Sequence, residues 1–392
     1  MDTHHQVRAA VIGYGGIGSA HTAGIAQGKV DGMVLAAVCD INPARLQLVT
    51  QRFPGVRCET DYHALLDGSI DAVIISVPHP MHCAIAADCL KAGVHVLSEK
   101  PLDVSVTAAR KALEAQAESG SIFAVMLNQR TAPIFQRARE IVQSGALGQL
   151  KRTVWIITNW YRTQHYYDSG SWRATWAGEG GGVLLNQAPH NLDLWQWICG
   201  MPASVTAYCD VARYHRIEVE DDATLMTRYV NGATGLFVTS TGEYPGTNRL
   251  EITGDLGKLV LEEGVLKWWK LQECERDVRW NSDNSMPQIP MDYSEERFED
   301  DGAQHLGIMQ NLTNAILHGE ELISPASDGL NELMLSNAAY LSQWTGNVRV
   351  DLPLDGAAFD ALLGEHAAHS MTHEEMAGTP EGEYQDRWQT RW

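Results

Sequence analysis

The chain has 392 residues and a formal net charge of −20, from 29 Lys and Arg against 49 Asp and Glu. The length allows two domains, at roughly 100 to 200 residues per domain, and the acidic balance argues against a nucleic-acid or anionic-membrane partner. Seven cysteines without zinc-ligand spacing are interpreted as reduced packing residues. No apolar run approaches the roughly 18 residues that span a bilayer, and no export signal fits before the first strand, so a cytoplasmic protein is predicted.

The most informative stretch is the first predicted strand, Val7 to Ile12, with the glycine-rich loop that follows it. The loop reads Gly13-Tyr14-Gly15-Gly16-Ile17-Gly18 and passes into alanine-rich helical sequence. Strand, tight loop and helix in that order are typical of a dinucleotide-binding site. Gly13 would turn the chain, Gly15 would let the backbone approach a pyrophosphate, and Gly18 would let helix and strand pack closely.

An acidic residue ends the second predicted strand, Met33 to Cys39. Asp40 lies 22 residues beyond Gly18, where a carboxylate can accept hydrogen bonds from the adenosine ribose hydroxyls. Because Asp40 repels a 2′-phosphate, NAD is predicted over NADP, although the nearby Arg45 softens that preference. Ile41 is assigned to the same cofactor site. The alternative is a glycine-rich turn of another α/β protein with a surface aspartate.

Strands alternate with helices as far as residue 128. Asp71 to Val77 is a continuous apolar run, typical of a strand buried on both faces of a parallel sheet. The alternation predicts βαβ units and a doubly wound Rossmann sheet in a domain over residues 1–130. The remaining predicted elements are helix Asn42 to Arg52, strand Val56 to Cys58, short helix Asp61 to Leu66, helix Met81 to Ala92, strand Val94 to Ser98, helix Ser105 to Ser119 and strand Ile122 to Leu127.

Long alternating and β-branched runs begin beyond Gly145 to Gly148. They predict a C-terminal α/β domain over residues 131–354, built on a large, mainly antiparallel open sheet. A helix at about Gly181 to Ile198 interrupts the sheet, and helices Gln304 to Leu317 and Gly329 to Trp344 follow it. The predicted strands are Lys151 to Trp160, Val205 to Tyr214, Ala223 to Val230, Thr234 to Ser240, Arg249 to Thr253 and Lys258 to Leu261.

Two polar segments are predicted to lie outside these elements. The acidic run Glu295 to Asp301 is interpreted as a solvated loop. Residues 355–392 are predicted to form an acidic C-terminal tail that ends in Trp388 and Trp392, and that either docks on a neighbouring subunit or frays.

Lys100 is the first candidate for chemistry, within Ser98-Glu99-Lys100-Pro101. Loops at the carboxyl ends of parallel strands border the ligand crevice, so Lys100 is expected to face the nicotinamide end of the cofactor. Pro101 fixes φ and is expected to hold a sharp turn. A buried lysine there can hydrogen-bond a substrate hydroxyl and accept its proton. The alternative is an ordinary surface lysine.

Polar residues at helical spacing form the second candidate. Asn186, His190, Asp193 and Trp197 recur at spacings of four, three and four, which predicts one helix face that lines a cleft. His190 titrates near neutrality and can take or give the proton of an alcohol. The alternative is a buried histidine bonded to Asp193.

The stretch Asn159 to Trp176 is unusually rich in Trp, Tyr, Arg and His. A mixed aromatic and cationic surface suits a sugar ring, with its apolar face and rim of hydroxyls. Trp155 and Trp195 are expected in the core instead. The fifteen histidines, including His366, His369 and His373, lack metal-ligand spacing, so no metal is assigned. The predicted substrate-binding residues are Tyr161, Arg162, His165, Tyr166, Trp172, Arg173, Asn186 and Gln187.

Five motifs occur together in this chain: Gly13 to Gly18, Val77-Pro78 to His82, Glu99-Lys100-Pro101, Gly180 to Gly182 before His190, and Trp172-Arg173. In this combination the chain resembles the Gfo/Idh/MocA family from about residue 7 to about residue 353. The resemblance implies an N-terminal Rossmann domain and a C-terminal domain whose open sheet builds homodimers or homotetramers. It also implies oxidation or reduction of a sugar, cyclitol or glycoside hydroxyl with NAD(H) or NADP(H).

The same resemblance assigns roles to individual residues. It assigns Val77, Pro78, His82 and Glu99, with Lys100, to the cofactor site, and Lys100 and His190 to the reacting hydroxyl. The aspartate of the family's D-x-x-x-H pair does not carry over, because Asn186 stands in its place. An amide can orient a hydroxyl but cannot accept its proton.

The predicted function is NAD-dependent hydride transfer at a secondary hydroxyl of a small carbohydrate. Lys100 and Asn186 would position the hydroxyl while His190 takes its proton. The segment Leu184 to Trp197 resembles a subgroup for which oxidation at C3 has been proposed. Two alternatives stay open: a redox-assisted glycosidase or lyase with transient NAD reduction, and a non-catalytic dinucleotide-sensing regulator.

Overall fold

The computed structural model describes residues 6–170 and 172–370. The predicted tail residues Trp388 and Trp392, with His373, lie outside these ranges. Within them the chain forms two β-sheets, one in each half, with helices packed on their faces. Of the helices in the described part of the chain, none is long and apolar enough to cross a bilayer.

The N-terminal sheet is parallel throughout, as the sequence predicts. Its strand order is β3-β2-β1-β4-β5-β6. The chain adds strands outward on one side from β1 and on the other side from β4. The crevice where doubly wound sheets bind ligands therefore lies at the carboxyl ends of β1 and β4. Its strands are β1 (Val7–Ile12), β2 (Met33–Cys39), β3 (Arg57–Glu59), β4 (Ala72–Ile75), β5 (His95–Ser98) and β6 (Phe123–Val125), and its helices are α1 (Gly16–Ala26), α2 (Pro43–Arg52), α3 (His82–Lys91) and α4 (Val106–Ser119).

The second sheet has the order β14-β13-β12-β11-β7-β10-β9-β8-β15 over the described residues. Every neighbouring pair is antiparallel except β7 with β10, which confirms the mainly antiparallel prediction. Its strands are β7 (Leu150–Ile157), β8 (Ser204–Val211), β9 (Glu220–Arg228), β10 (Thr234–Ser240), β11 (Asn248–Gly254), β12 (Gly257–Glu262), β13 (Val265–Leu271), β14 (Met291–Arg297) and β15 (Val350–Asp351). The helices of this half are α5 (Pro133–Gln143), α6 (Gln164–Tyr167), α7 (Pro189–Cys199), α8 (Glu275–Asn281), α9 (Gln304–His318), α10 (Ala326–Trp344) and α11 (Gly356–Ala368).

Two polar segments differ from their sequence predictions. The acidic run begins inside β14, where Glu296 pairs with Arg137 across the sheet edge, so its first residues form an edge strand rather than a loop. Helix α11 lies in the segment predicted as a tail. It begins at the N-cap Asp355 and buries Phe359 completely, while Leu362, Leu363 and Ala367 on the same helix face pack against the core.

Helix α10 joins the two halves of the molecule. Asn337 bonds the loop before α4 twice, accepting from the Val106 N–H at 3.1 Å and donating to the Val104 carbonyl at 3.0 Å. One apolar core continues through both halves, and it includes Trp155 and Trp195, as expected. The loops at the carboxyl ends of β4 and β5 contact the segment before α7 directly, through His79 at the Glu179 carbonyl and Lys100 at the Asn186 carbonyl.

Candidate active site

The glycine loop after β1 is shaped by close packing on one side and open space on the other. Gly13 has φ +95°, and a Cβ there would lie 2.4 Å from the Ser76 carbonyl oxygen. A Cβ on Gly18 would lie 1.9 Å from the Gly13 carbonyl oxygen, whereas a Cβ on Gly15 would meet no atom within 4 Å. Gly16 and Ile17 open α1, whose first amides have no helical acceptor. The open side of Gly15 therefore fits an approaching pyrophosphate.

Asp40 is fixed at the end of β2 by two backbone amides. Its Oδ2 accepts from the Tyr14 N–H at 2.7 Å, and its Oδ1 accepts from the Asn42 N–H at 2.8 Å. Arg45 Nη1 lies 3.5 Å from Oδ2, and Ile41 is 84% exposed beside it. Since each carboxylate oxygen has a further lone pair, the arrangement fits a ribose diol, and the loop and Asp40 together fit a dinucleotide.

The loop after β4 is tied to the Lys100 loop by His82. Its ring nitrogens lie 2.8 Å from the carbonyl oxygens of Pro101 and Val77, and the ring is fully buried. This geometry gives His82 the task of holding the two loops together. Val77 is half-buried and Pro78 is exposed at the same loop.

Lys100 lies at the carboxyl end of β5 and points toward the second half of the chain. The Lys100–Pro101 peptide is cis, and the residue is 8% exposed. Its Nζ donates to the Asn186 backbone carbonyl at 2.7 Å. Burial lowers the pKa of the Lys100 amine, while the carboxylates of Glu99 and Glu179 oppose that shift.

Glu99 lies at the centre of a small group of histidines. Its Oε1 is 2.7 Å from His21 Nε2, and the rings of His21 and His305 lie 5.6 Å apart. Although burial acts to raise it, the hydrogen bond and charge of His21, with the charges of His305 and Lys100, lower the pKa of Glu99 to about 2. Glu99 therefore places a fixed negative charge directly behind Lys100.

The turn that carries Asn186 is not helical, contrary to the predicted helix from Gly181. Helix α7 begins only at Pro189, which has no N–H to donate and suits a first helical position. The preceding glycines allow close approach, because a Cβ on Gly181 would lie 2.2 Å from Tyr340 Oη and one on Gly182 would lie 1.9 Å from the Glu220 carbonyl oxygen. Asn186 therefore stands in a tight turn before the helix rather than on its face.

His190 lies in the first turn of α7 and is 3% exposed. Its Nδ1 has no hydrogen-bond partner among the described residues. Burial lowers the pKa of His190 well below its usual value, with a smaller contribution from the charge of Lys100, so the ring is neutral at pH 7. Asp193 Oδ1 lies 2.5 Å from Arg130 Nη2, so the Asp193 carboxylate pairs with Arg130 rather than with His190.

Tyr166 connects the aromatic stretch to this group. Its hydroxyl oxygen lies 2.9 Å from Arg173 Nη1, 3.3 Å from Asn186 Nδ2 and 3.2 Å from Gln187 Nε2. Gln187 Oε1 has no partner among the described residues. We call the surface formed by Lys100, Tyr166, Arg173, Asn186 and His190 the cleft.

The other predicted substrate residues differ in position. Trp172 packs edge-on against His79 at 5.7 Å. The Arg162 guanidinium lies 5.1 Å from the Tyr166 ring, but its Nη1 donates to backbone carbonyls of its own loop. Tyr161 packs on Tyr244 and is exposed, and His165 is also exposed, so neither joins the cleft.

Several buried groups at the site carry no local sequence signal. Glu179 bonds the Asn186 amide, and its pKa is raised by burial against the opposing effects of Arg173 and the Ala174 N–H. Glu332 on α10 is completely buried, and neither of its carboxyl oxygens has a partner among the described residues. The buried His79 and His21 and the half-buried His305 complete the set. Only His79 lay within a motif, the segment Val77 to His82.

Two family models match the chain. The model described as an oxidoreductase family with an NAD-binding Rossmann fold matches residues 7–127, and the model described as the GFO/IDH/MocA C-terminal domain matches residues 135–260. Together the two matches span more than half of the chain. They confirm the recognised family, and the first match agrees with the open glycine loop and Asp40 in identifying NAD as the cofactor.

Characterised relatives match both halves of the chain. The D-apiose dehydrogenase of Rhizobium rhizogenes is 28% identical over 325 residues, which cover 81% of this chain and 90% of that protein. The myo-inositol 2-dehydrogenase of Thermotoga maritima is 25% identical over 265 residues, covering 65% of this chain and 75% of that protein.

Solved structures share the whole architecture. The WlbA dehydrogenase from Bordetella pertussis, in complex with NADH and UDP-GlcNAcA, superposes with a TM-score of 0.75 at 28% identity, covering 89% of this chain and 100% of that one. A levoglucosan dehydrogenase in complex with NADH and levoglucosan has a TM-score of 0.72 at 20% identity, covering 89% and 100%. The second similarity concerns the fold alone.

Proposed function

This chain belongs to the Gfo/Idh/MocA family of NAD-binding oxidoreductases, and on that basis we propose that it transfers hydride between nicotinamide and a secondary hydroxyl of a sugar or glycoside. The observation that carries the proposal is the meeting of Lys100, Asn186 and His190 at one cleft. Lys100 donates to the Asn186 carbonyl, and it lies near enough to His190 to lower that ring's pKa. An ammonium donor beside a neutral imidazole acceptor can hold the oxygen of an alcohol and take its proton.

Lys100 holds the reacting oxygen in this mechanism. Its ammonium carries three hydrogens, and the Asn186 carbonyl takes one of them. A second hydrogen can bond the substrate oxygen and stabilise the negative charge that develops as the hydroxyl loses its proton. The Asn186 side chain orients the sugar, while the backbone carbonyl of the same residue holds Lys100.

His190 takes the hydroxyl proton on its imidazole ring. The ring can accept it because burial lowers its pKa and keeps it neutral at pH 7. As the O–H bond breaks toward the imidazole, the carbon-bound hydrogen leaves with its electron pair and the carbon becomes a carbonyl. When bound, NAD supplies the acceptor for that hydride at C4 of nicotinamide. The lowered pKa then favours release of the proton from His190.

A sugar or glycoside is supported as substrate by two facts. Two of the reported relatives carry names that describe dehydrogenases of apiose and inositol. The cleft itself offers the Tyr166 ring beside the polar groups of Arg173 and Asn186, which suits a ring with an apolar face and polar rim. The resemblance of Leu184 to Trp197 to a subgroup with proposed C3 oxidation supports C3 as the reacting carbon.

The outer face of the second sheet supports assembly into a homodimer or homotetramer. Tyr208 on β8 and Met226 on β9 are 57% and 55% exposed, and Tyr293 on β14 is 51% exposed. Exposed apolar groups on one open sheet are typical of an interface. Light scattering of the purified protein tests this proposal, and the molar mass of a dimer or a tetramer is expected.

The experiment for the proposed function is an absorbance scan at 340 nm with added NAD against free sugars, sugar acids, cyclitols and glycosides, with product analysis. Formation of NADH together with a keto-sugar is the expected result. Released aglycone without net NADH would favour a redox-assisted glycosidase, and no change with any compound would favour a dinucleotide sensor. Either outcome would overturn the proposal that the protein is a dehydrogenase.

A further inference from the structure

The Asn186 side chain is held with a fixed polarity. Its Nδ2 donates one hydrogen bond to Glu179 Oε1 and a second to Tyr166 Oη at 3.3 Å. An amide nitrogen carries two hydrogens, and both point at protein acceptors. The bond to Glu179 is the stronger one, because Tyr166 Oη also receives Arg173 and Gln187. Asn186 is half-buried, and the group it has left for a ligand is Oδ1, which can only accept.

Glu179 is itself fixed on every side. It is 1% exposed, and its Oε2 accepts from the Ala174 N–H at 2.6 Å. Arg173 Nη1 lies 3.9 Å from Oε1, and the Glu179 backbone carbonyl lies 3.0 Å from His79 Nδ1. The side chain therefore has little freedom to release Asn186. A buried charged acceptor also forms a stronger hydrogen bond than a neutral one.

Asn186 lies between two opposite charges. Its backbone carbonyl accepts from Lys100 Nζ at 2.7 Å, while its amide nitrogen donates to the Glu179 carboxylate. Asn186 therefore couples Lys100, which holds the reacting oxygen, to Glu179, which orients the Asn186 side-chain amide. Exchanging Glu179 for a neutral group would leave the amide free to turn over.

We infer that Glu179 is a positioning residue, which commits the Asn186 amide nitrogen to the protein and so presents Oδ1 to a donating hydroxyl of the carbohydrate. The inference rests on the proposed function and adds a specificity rule to it. The site takes a substrate with a hydroxyl donor at the contact with Asn186, in addition to the hydroxyl that is oxidised. A substrate whose corresponding group is fluorine or hydrogen lacks that donor.

The test is a two-residue exchange with Glu179→Gln, Asn186→Asp and the double variant. In Glu179→Gln, the new amide can donate to Oδ1 and reverse the Asn186 side chain, so kcat/KM is expected to fall by about ten- to hundredfold with an unchanged Kd for NADH. In Asn186→Asp, two carboxylates face each other, and activity is expected to fall further as pH rises and both ionise. In the double variant, the amide introduced at position 179 donates to the carboxylate introduced at position 186. The second oxygen of that carboxylate can accept from the substrate again, so kcat/KM is expected to recover.

Three comparisons separate the outcomes. Glu140→Gln, an exposed change on α5, is the matched control and should behave as wild type. Each monodeoxyfluoro analogue of the substrate is compared with the parent; at one position other than the oxidised carbon, wild type should discriminate strongly and Glu179→Gln weakly. A double variant no better than Glu179→Gln, or unchanged discrimination, would overturn the inference while an active wild type leaves the proposed function intact. A wild type that forms no NADH would overturn the proposed function, and the inference with it.

Discussion

Lys100 Nζ donates to the backbone carbonyl oxygen of Asn186 at 2.7 Å, across a separation of 86 residues in the sequence. This bond joins the loop after β5 in the NAD-binding half to the turn before α7 in the other half. In the proposed mechanism this contact orients the lysine that holds the substrate oxygen, so that the two halves of the chain together build the reaction centre.

Replacing Lys100 with Ala should abolish most of the chemistry and leave cofactor binding. Without the ammonium, the developing negative charge on the substrate oxygen loses its donor, and kcat is expected to fall by roughly 10²- to 10⁴-fold. The Kd for NADH, measured by fluorescence titration, should stay within about twofold because Asp40 and the glycine loop are untouched. Lys111→Ala, an exposed change on α4, is the control. Near-normal turnover in Lys100→Ala would remove Lys100 from the mechanism.

The pH dependence of wild-type kcat/KM should show a base that stays active in mild acid. Burial lowers the pKa of His190 well below 6.5, so the ring remains unprotonated as pH falls through that value. The acid limb of the profile should therefore begin below pH 6.5, and His190→Asn should lose most activity at every pH. An inflection at or above pH 6.5 that disappears in His190→Asn would contradict the buried, neutral ring.

Asp40→Asn should weaken the binding of NADH and reduce the discrimination against NADPH. The variant keeps an oxygen acceptor but loses the charge that favours ribose hydroxyls and repels a 2′-phosphate. We expect the Kd for NADH to rise by about tenfold, the size of one charged hydrogen bond. The Kd for NADPH should fall, because Arg45 Nη1, 3.5 Å from the Asp40 carboxylate in wild type, can pair with the phosphate instead.

Fluorescence titrations with both nucleotides measure this change without any substrate. Asp40→Asn with Arg45→Ala should lose the gain in NADPH affinity, and Asp283→Asn in an exposed loop should match wild type. Equal weakening of both nucleotides by Asp40→Asn would show that Asp40 acts only through the structure of the loop.

Glu332 should make the protein less stable as pH rises. Burial raises the pKa of Glu332 well above 4.5, so the folded state keeps a proton that the unfolded chain releases above about pH 4.5. Each further pH increase then stabilises the unfolded state relative to the folded state. The free energy of unfolding falls by about 1.4 kcal/mol per pH unit until the folded-state pKa is reached.

Glu332→Gln removes this titration while preserving the shape of the side chain. Its free energy of unfolding in urea should exceed that of wild type more at pH 7 than at pH 5. Since Asp103 and Glu220 also have raised pKa values, of about 6 and about 7, only the difference between variant and wild type isolates Glu332. A difference that is equal at the two pH values would mean that Glu332 is ionised in the folded protein.

The sequence predicts the NAD-binding half well because its signals are local. Gly13, Gly18 and Asp40 act within one βαβ unit, where strand, turn and helix follow each other directly. The close contacts that a Cβ would meet at Gly13 and Gly18 are the physical reason for those glycines. Lys100 could also be found, since a residue at the carboxyl end of a parallel strand must border the crevice.

The other half of the site depends on contacts that no local pattern carries. Spacing alone suggested that Asn186 and His190 share a helix face, but α7 starts at Pro189 and the glycines before it form a turn against Tyr340 and β9. Asp193 could be expected beside His190, yet Arg130 from the first half binds it instead. The role of Glu179 follows only from the side chains that the fold brings around it.

The most direct measurement of the central claim is the mass of NADH formed from carbon-deuterated substrates. Wild type is incubated with NAD and with glucosides deuterated either at every carbon or at C3 alone, and the reduced nucleotide is isolated. Hydride transfer predicts NADH one mass unit heavier from the fully deuterated glucoside, and the same shift from the C3-labelled one. Unlabelled NADH from the C3-labelled compound alone would contradict oxidation at C3. Unlabelled NADH, or none, from the fully deuterated compound under conditions in which the unlabelled glucoside is converted would contradict direct hydride transfer itself.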